Sequence, residues 1–526
     1  MSAPPDPTRA LLDHALPFAE RRDFAPLRRL LAGVPADPGR LARHLVESSY
    51  SEALEGRYRS SRTAALLAFL LDPKDAETRR QLAARLRTTN DVPELLELIR
   101  ASGPASRIPI PLLLGYAAQL SYLNRQEQAL HHLDEARRAD PDYPPTLVSR
   151  GQVLTYLGRS DEACAEFERC IAIAPKIGQA HWFLSHVRRA TPTDHRIDRL
   201  RAALMQTGLA PQEEASFAFA LHKELDDLGD ADGAWQALTR ACAAKRGTLK
   251  YDAADTRRLV DALVALPPRT VAADDEAGGT PVPIFIVGMH RSGTTLVEQL
   301  LDASPQVQGI GEMYDFTCAM RHATDHPCRG VIDLRLVERA RAADLASAGR
   351  RYLDGLAWRL DARPFFTDKL PTNFFHLDFL CAALPQARIL HLVRDPMETC
   401  FSNLRELFSD ANAHSYDMGE LADYYLQYRR LMAHWRARHP GRILDVDYAR
   451  LTREPDAVMR EVSAFCGIDY VDAMRDPRSS TRAVATASAL QVREGVVRRD
   501  QPKWAPYAHR LQPLADALAR GGVSGS

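Results

Sequence analysis

The stretch "PIFIVG" is followed by Gly288-Met-His-Arg-Ser-Gly293-Thr294-Thr295 and then by "LVEQLLDA". Glycines at such a strand-to-helix turn let the backbone close on an anion. Successive N–H groups and the helix N-terminus then hold it. The spacing matches GxxxxGK[ST] except that Thr294 stands where the lysine belongs. That lysine neutralises the β- and γ-phosphates in nucleoside triphosphate chemistry. Its absence argues against an NTPase or a P-loop kinase, and Arg291 offers a cation from within the loop instead.

Further polar residues fall at the ends of later apolar runs. Glu312 follows Gly311 in "VQGIGEMYDF", and Lys369 sits in "TDKLPTNF". "HLVRDPMETCFSNLRELF" carries Arg394 and Ser402, with Asp395 placed to cap the helix that Pro396 opens. A fork-shaped guanidinium and a hydroxyl suit a second phosphate. Tyr448 ends "DVDY", and the loop-like "ATASALQVREGVVRRDQPKWAPY" carries Ser488, Lys503 and Trp504. Each residue alone has an ordinary reading: a structural turn, a capping glutamate, a solvated lysine, an ion-paired arginine. In order along the chain they describe one crevice with an anion loop, a carboxylate, a lysine and a second Arg/Ser pair.

The elements that must position them alternate. "PIFIVG", "RPFFTD", "ARILHLV" and "RILDVDY" are short, apolar and β-branched or aromatic, with amphipathic helical stretches between. That pattern predicts a parallel sheet covered by helices, with ligands beyond the carboxyl ends of the strands. The first half is different: helical, rich in Ala, Leu and Arg, and repetitive. "YLNRQEQALHHLDEARRADPDYP" at Tyr122 and "YLGRSDEACAEFERCIAIAPKIG" at Tyr156 start 34 residues apart and bring Pro141 onto Pro175. That is the tetratricopeptide (TPR) period. "AHWFLSHVRRA" is a degenerate unit, and a further helix pair turns at Leu228-Gly229-Asp230 with Ala234 as its small packing residue. The expected fold class is therefore α plus α/β: a TPR solenoid, then a P-loop-like three-layer α/β domain. The boundaries fall at 1–265 for the helical domain (clearest repeats 112–180, helix pair 212–246), 266–283 for a linker and 284–519 for the second domain.

In a chain of 526 residues, 68 Lys and Arg balance 68 Asp and Glu. No global attraction to nucleic acid or an anionic membrane follows, so an anion site must be local. The eight cysteines form no CxxC pair, which signals neither zinc nor a disulfide framework. The N-terminal stretch has no unbroken apolar segment and no run approaches a membrane span, so a cytoplasmic location is expected.

These motifs resemble the sulfotransferase superfamily, specifically bacterial TPR sulfotransferases and their relatives the tyrosylprotein sulfotransferases. The resemblance implies 3′-phosphoadenosine 5′-phosphosulfate (PAPS) as donor, adenosine 3′,5′-bisphosphate as product and no metal. It implies that "GMHRSGTT" (His290, Arg291, Ser292, Gly293, Thr294, Thr295) holds the 5′-phosphosulfate and that Arg394 and Ser402 hold the 3′-phosphate. Glu312 then matches the catalytic base and Lys369 the catalytic lysine. Ser488 stabilises the transferring group with Lys369, and Tyr448 and Lys503 contact the nucleotide. The tyrosylprotein enzymes carry a further arginine where this chain has Glu406; the adjacent Arg405 is the candidate to take its place as a nucleotide contact. His290 is the second candidate base. The implied acceptor is a tyrosine of a peptide or protein presented by the repeats. A sugar or small-molecule hydroxyl, and an inactive TPR scaffold, are the alternatives, and a homodimer stays open.

Overall fold

The computed structural model describes residues 7–269, 281–479, 485–486, 495 and 501–523. It divides into two compact units. The first holds the described chain up to Pro141 together with Tyr314–Leu360 and Ala382–Leu384; the second holds Asp142–Met313, Asp361–Cys381 and the described residues from Pro385 on.

The first unit is all helical. "SRTAALLAFLLDPKDAETRRQLAARL" folds as Tyr58–Leu70 and Ala76–Thr88. The turn between them is made by Asp72, at φ 47°, and Pro73, and Asp75 caps the second helix through Thr78 N–H. Leu45, Leu66, Leu67, Leu82, Leu95 and Tyr116 fill a common core. Arg62 is buried within it and donates to Asp91 at 2.7 and 3.0 Å and to the Ala19 carbonyl at 3.1 Å. A buried guanidinium is tolerable only when so satisfied. Tyr314–Leu360 contributes three further helices to this unit, Asp315–Thr324, Leu334–Ala340 and Leu345–Leu356. Gly349 packs so closely that a Cβ there would lie 2.1 Å from the Ala383 carbonyl.

In the second unit, helix pairs precede a sheet. Pro144–Leu157 pairs with Ser160–Ile173, Gly178–Val187 follows, and Pro211–Asp227 pairs with Ala231–Gly247. Gly158 and Gly229, at φ 78° each, close the turns, where a left-handed backbone favours glycine. A Cβ on Gly151 would meet the Phe167 ring at 2.4 Å, so the first pair meets without a side chain between its axes. The sheet has five parallel strands in the order β2-β3-β1-β4-β5. These are β1 (Val282–Gly288), β2 (Val307–Gly309), β3 (Phe365–Asp368), β4 (Arg388–Val393) and β5 (Ile443–Asp447). On one face Ile284, Ile286, Leu390, Leu392 and Val446 pack on helices Thr294–Asp302 and Pro455–Cys466. On the other, helix Met418–Arg438 brings Tyr428 to His391 and Trp435 Nε1 to the Phe374 carbonyl at 2.9 Å. The three layers and all the expected strands are present, and Tyr448 opens a helix directly after β5. Chain direction reverses its lateral sense between β1 and β4, the switch point where α/β sheets bind ligands.

Candidate active site

The crevice lies at that switch point. β1 ends in Gly288 at φ 151°; the loop then turns through Arg291 at φ 67° and Gly293 at φ 107° before helix Thr294–Asp302 begins. Gly293 is required twice. Its backbone is left-handed, and a Cβ would sit 2.3 Å from the ring of Tyr448. A non-glycine residue at positive φ is uncommon and marks sites held by their surroundings. Arg291 is held by Arg394 Nη1, which donates to its carbonyl at 2.9 Å. Its neighbour His290 is held by Asn403 Nδ2, which donates to its carbonyl at 2.8 Å. Thr294 and Thr295 are buried at the helix start, and the buried Ser292 hydroxyl has no hydrogen bond among the described residues. An unsatisfied buried hydroxyl in an anion loop fits a ligand oxygen.

β4 runs beside β1, with Leu392 in register with Gly288, so its exit delivers Arg394 beside the loop. Asp395 accepts from Glu398 N–H at 2.8 Å, the expected cap of helix Pro396–Leu404. On that helix Ser402 accepts from Arg291 Nε at 3.2 Å. Arg394 lies 4.6 Å over the Tyr448 ring and pairs with Glu398 one turn on. The other Glu398 oxygen accepts the Lys503 N–H at 2.8 Å. Arg291, Ser402, Arg394, Tyr448 and Lys503 are thus gathered in one place.

The carboxylate and lysine meet across the β2 and β3 ends. Lys369, fully buried, donates from Nζ to Glu312 Oε1 at 2.5 Å and from its N–H to the Gly311 carbonyl at 3.0 Å. Glu312 is one-third exposed. Burial pushes the His290 imidazole down to about 4; Glu312 opposes this, while Lys369 and Arg291 add to it. His290 therefore lies within electrostatic reach of all three and is neutral at pH 7. Burial raises the Tyr156 phenol on repeat helix Pro144–Leu157; a hydrogen bond from Gln152 opposes this, and the Glu312 charge adds to it.

Ser488 lies outside the described residues. Arg405 donates to Asp226 on a repeat helix at 2.6 Å and lies over the Phe401 ring. The site also uses residues that motif reading did not select. Buried Glu298 accepts the Gly311 N–H at 2.8 Å and the Thr367 hydroxyl at 3.3 Å, fixing the strand end before Glu312. Its signal was a lone acid in the apolar run "TTLVEQLL". Glu398 was readable as the partner of Arg394 at i+4. Glu406 is buried 3.7 Å from Arg291, and burial, against the pull of Arg291, raises its carboxyl. Only the folded chain reveals that pairing. Among the described residues no helix is long and apolar enough to cross a membrane, and no group of His, Cys, Asp and Glu forms a metal site.

A glycine-rich strand-to-helix loop without a lysine, the Arg394/Ser402 pair and the Lys369–Glu312 pair thus meet at the ends of one parallel sheet. Residues 283–473 match the model of the Sulfotransferase family. An uncharacterized protein of Aquifex aeolicus is 30% identical over 411 residues, covering 76% of this chain and 53% of that protein. The chain thus spans about half the length of that relative. A "putative protein-tyrosine sulfotransferase" of Caenorhabditis briggsae is 24% identical over 195 residues, 36% of this chain and 67% of that one. Among solved structures, the sulfotransferase domain from the Synechococcus PCC 7002 olefin synthase aligns at 17% identity. It covers 47% of this chain and 98% of that one, with a TM-score of 0.29.

Proposed function

We propose that the protein transfers a sulfuryl group from PAPS to a hydroxyl, and that the acceptor is a tyrosine of a peptide or protein. The observation that carries this reading is the Lys369–Glu312 pair at 2.5 Å, set beside a lysine-free phosphate loop. On this reading the loop N–H groups, Arg291, Thr294 and Thr295 hold the 5′ end of the donor, and Arg394 and Ser402 hold the 3′-phosphate. Glu312 accepts the proton of the acceptor hydroxyl. The acceptor oxygen bonds to sulfur as the bond from sulfur to the phosphate oxygen breaks, and adenosine 3′,5′-bisphosphate leaves with that electron pair. Lys369 and Arg291 stabilise the charge that builds on the sulfuryl and leaving oxygens. A phenol, with a pKa of about 10, gives up its proton more readily than a sugar hydroxyl. The Glu312 charge is felt at Tyr156 on a repeat helix, and helical repeats suit a peptide acceptor, as does the likeness to the Caenorhabditis briggsae protein.

The test has two arms. Titration of adenosine 3′,5′-bisphosphate against ATP should give the bisphosphate at least tenfold tighter binding; equal affinities would overturn the donor assignment. Incubation with 35S-labelled PAPS and cell lysate should then place label on protein, recoverable as tyrosine sulfate. Label only on glycan or small molecules would overturn the acceptor assignment.

A further inference from the structure

Helix Pro211–Asp227 ends in two adjacent carboxylates that face different parts of the second unit. Asp227 accepts the Ala190 N–H at 3.2 Å and pairs with Lys223, so it serves the repeat turn. Asp226 faces the donor-holding elements. Its Oδ2 accepts from Arg405 Nη2 at 2.6 Å, and its Oδ1 accepts the Tyr507 hydroxyl at 2.7 Å. Arg405 directly follows helix Pro396–Leu404, which carries Ser402, and Tyr507 lies four residues beyond Lys503. Tyr507 is buried, and its ring meets Phe401 at 5.1 Å, Trp235 at 6.0 Å and His222 at 6.5 Å. The last two belong to the repeat helices.

The geometry points to Asp226 as a positioning residue for the 3′-phosphate end of the donor site. One carboxylate on a repeat helix ties the end of the Ser402 helix to the Lys503 segment. Glu398 ties the same segment to Arg394 from the other side. The two carboxylates therefore set the spacing among Arg394, Ser402 and Lys503 without touching the donor. Burial opposes ionisation of Asp226, yet Arg405 and the Tyr507 hydroxyl hold its carboxyl down at about 2, so the tie is charged at neutral pH. A hydrogen bond to a charged group contributes more than a neutral one, which makes the pair a firm anchor. The helical repeats are then part of the donor site's framework, apart from any acceptor that they hold.

This inference rests on the donor reading above, and its test separates the two. The full chain is titrated with adenosine 3′,5′-bisphosphate and with adenosine 5′-monophosphate, as wild type, Asp226→Asn and Tyr507→Phe. Wild type without preference for the bisphosphate would sink the donor reading itself. Given that preference, Asp226→Asn should weaken bisphosphate binding about tenfold and leave monophosphate binding within about twofold. Tyr507→Phe, which loses one hydroxyl, should reproduce a smaller part of the same selective loss and covers the case in which Asp226→Asn fails to fold. An unchanged affinity ratio in folded variants, or parallel loss of both ligands, would overturn the inference. So would tighter bisphosphate binding in Asp226→Asn, because Arg405 would then be a phosphate ligand that Asp226 restrains.

Discussion

Lys369 Nζ and Glu312 Oε1 stand 2.5 Å apart, the lysine fully buried and the glutamate one-third open to solvent. The lysine is held in the protein interior, while the carboxylate is open to solvent, as the proposed base must be to meet an acceptor. Glu312→Gln should lower kcat by about 10²- to 10⁴-fold, the range for losing a general base. Binding of adenosine 3′,5′-bisphosphate should stay within about twofold of wild type, since Glu312 is placed on the acceptor. Turnover near wild type would remove Glu312 from the mechanism and leave His290, neutral and in the loop, as the base.

Arg394 donates to the Arg291 carbonyl in the loop, and on the proposed reading its charge meets the 3′-phosphate. Arg394→Ala should cut the preference for adenosine 3′,5′-bisphosphate over adenosine 5′-monophosphate by at least about tenfold, since a charge-assisted contact to phosphate is lost. Calorimetric titration of both nucleotides checks this, and an unchanged preference would move the 3′-phosphate elsewhere.

Gly293→Ala asks two incompatible things of the loop: an unfavourable backbone at φ 107° and a methyl 2.3 Å from the Tyr448 ring. The expected cost is about 1–3 kcal/mol in urea unfolding, together with loss of nucleotide binding as Tyr448 is displaced. Wild-type affinity in this variant would show that the loop does not hold the donor.

Burial pushes the His181 and His222 imidazoles down to about 4, below the usual value near 6.5. The unfolded chain then binds protons that the folded chain refuses, so stability falls as pH drops from about 6.5 towards 4. Each ring costs about 1.4 kcal/mol per pH unit within that window. The opposite case, Asp226, has its carboxyl held low by Arg405, so its contribution is complete above pH 4 and is lost as pH falls towards 2. Urea unfolding midpoints at pH 7, 6 and 5 check the histidine part: they should decline, and His222→Gln should reduce the slope. Constant midpoints would contradict it.

Local pattern carried most of the sheet and of the site. "PIFIVG" and "ARILHLV" are apolar because both faces of β1 and β4 are covered, and Arg394 and Lys369 were visible because polar residues at buried strand ends stand out. The 34-residue period was equally plain, because Ala129 and Ala163 recur where helix pairs meet and left-handed Asn124 and Gly158 recur at their turns. What did not show is what depends on distant chain. Arg405 looked available for a phosphate, and only the fold brings Asp226 to it across some 180 residues of sequence. Likewise the helices of Tyr314–Leu360 read as cover for the sheet, whereas their apolar faces complete the core of the first unit. Amphipathicity says that a face is buried, and it does not say against what.

That last arrangement bears on how the protein is made. Phe316, Tyr352 and Leu356 are buried in a unit whose earlier stretch of chain ends at Pro141. At translation speeds of about 5–20 residues per second, the early helices emerge roughly ten to forty seconds before the segment that completes them. For that interval their apolar surface stays open on the ribosome, and a chaperone that shields it during synthesis would raise the yield of native protein more than one supplied after release.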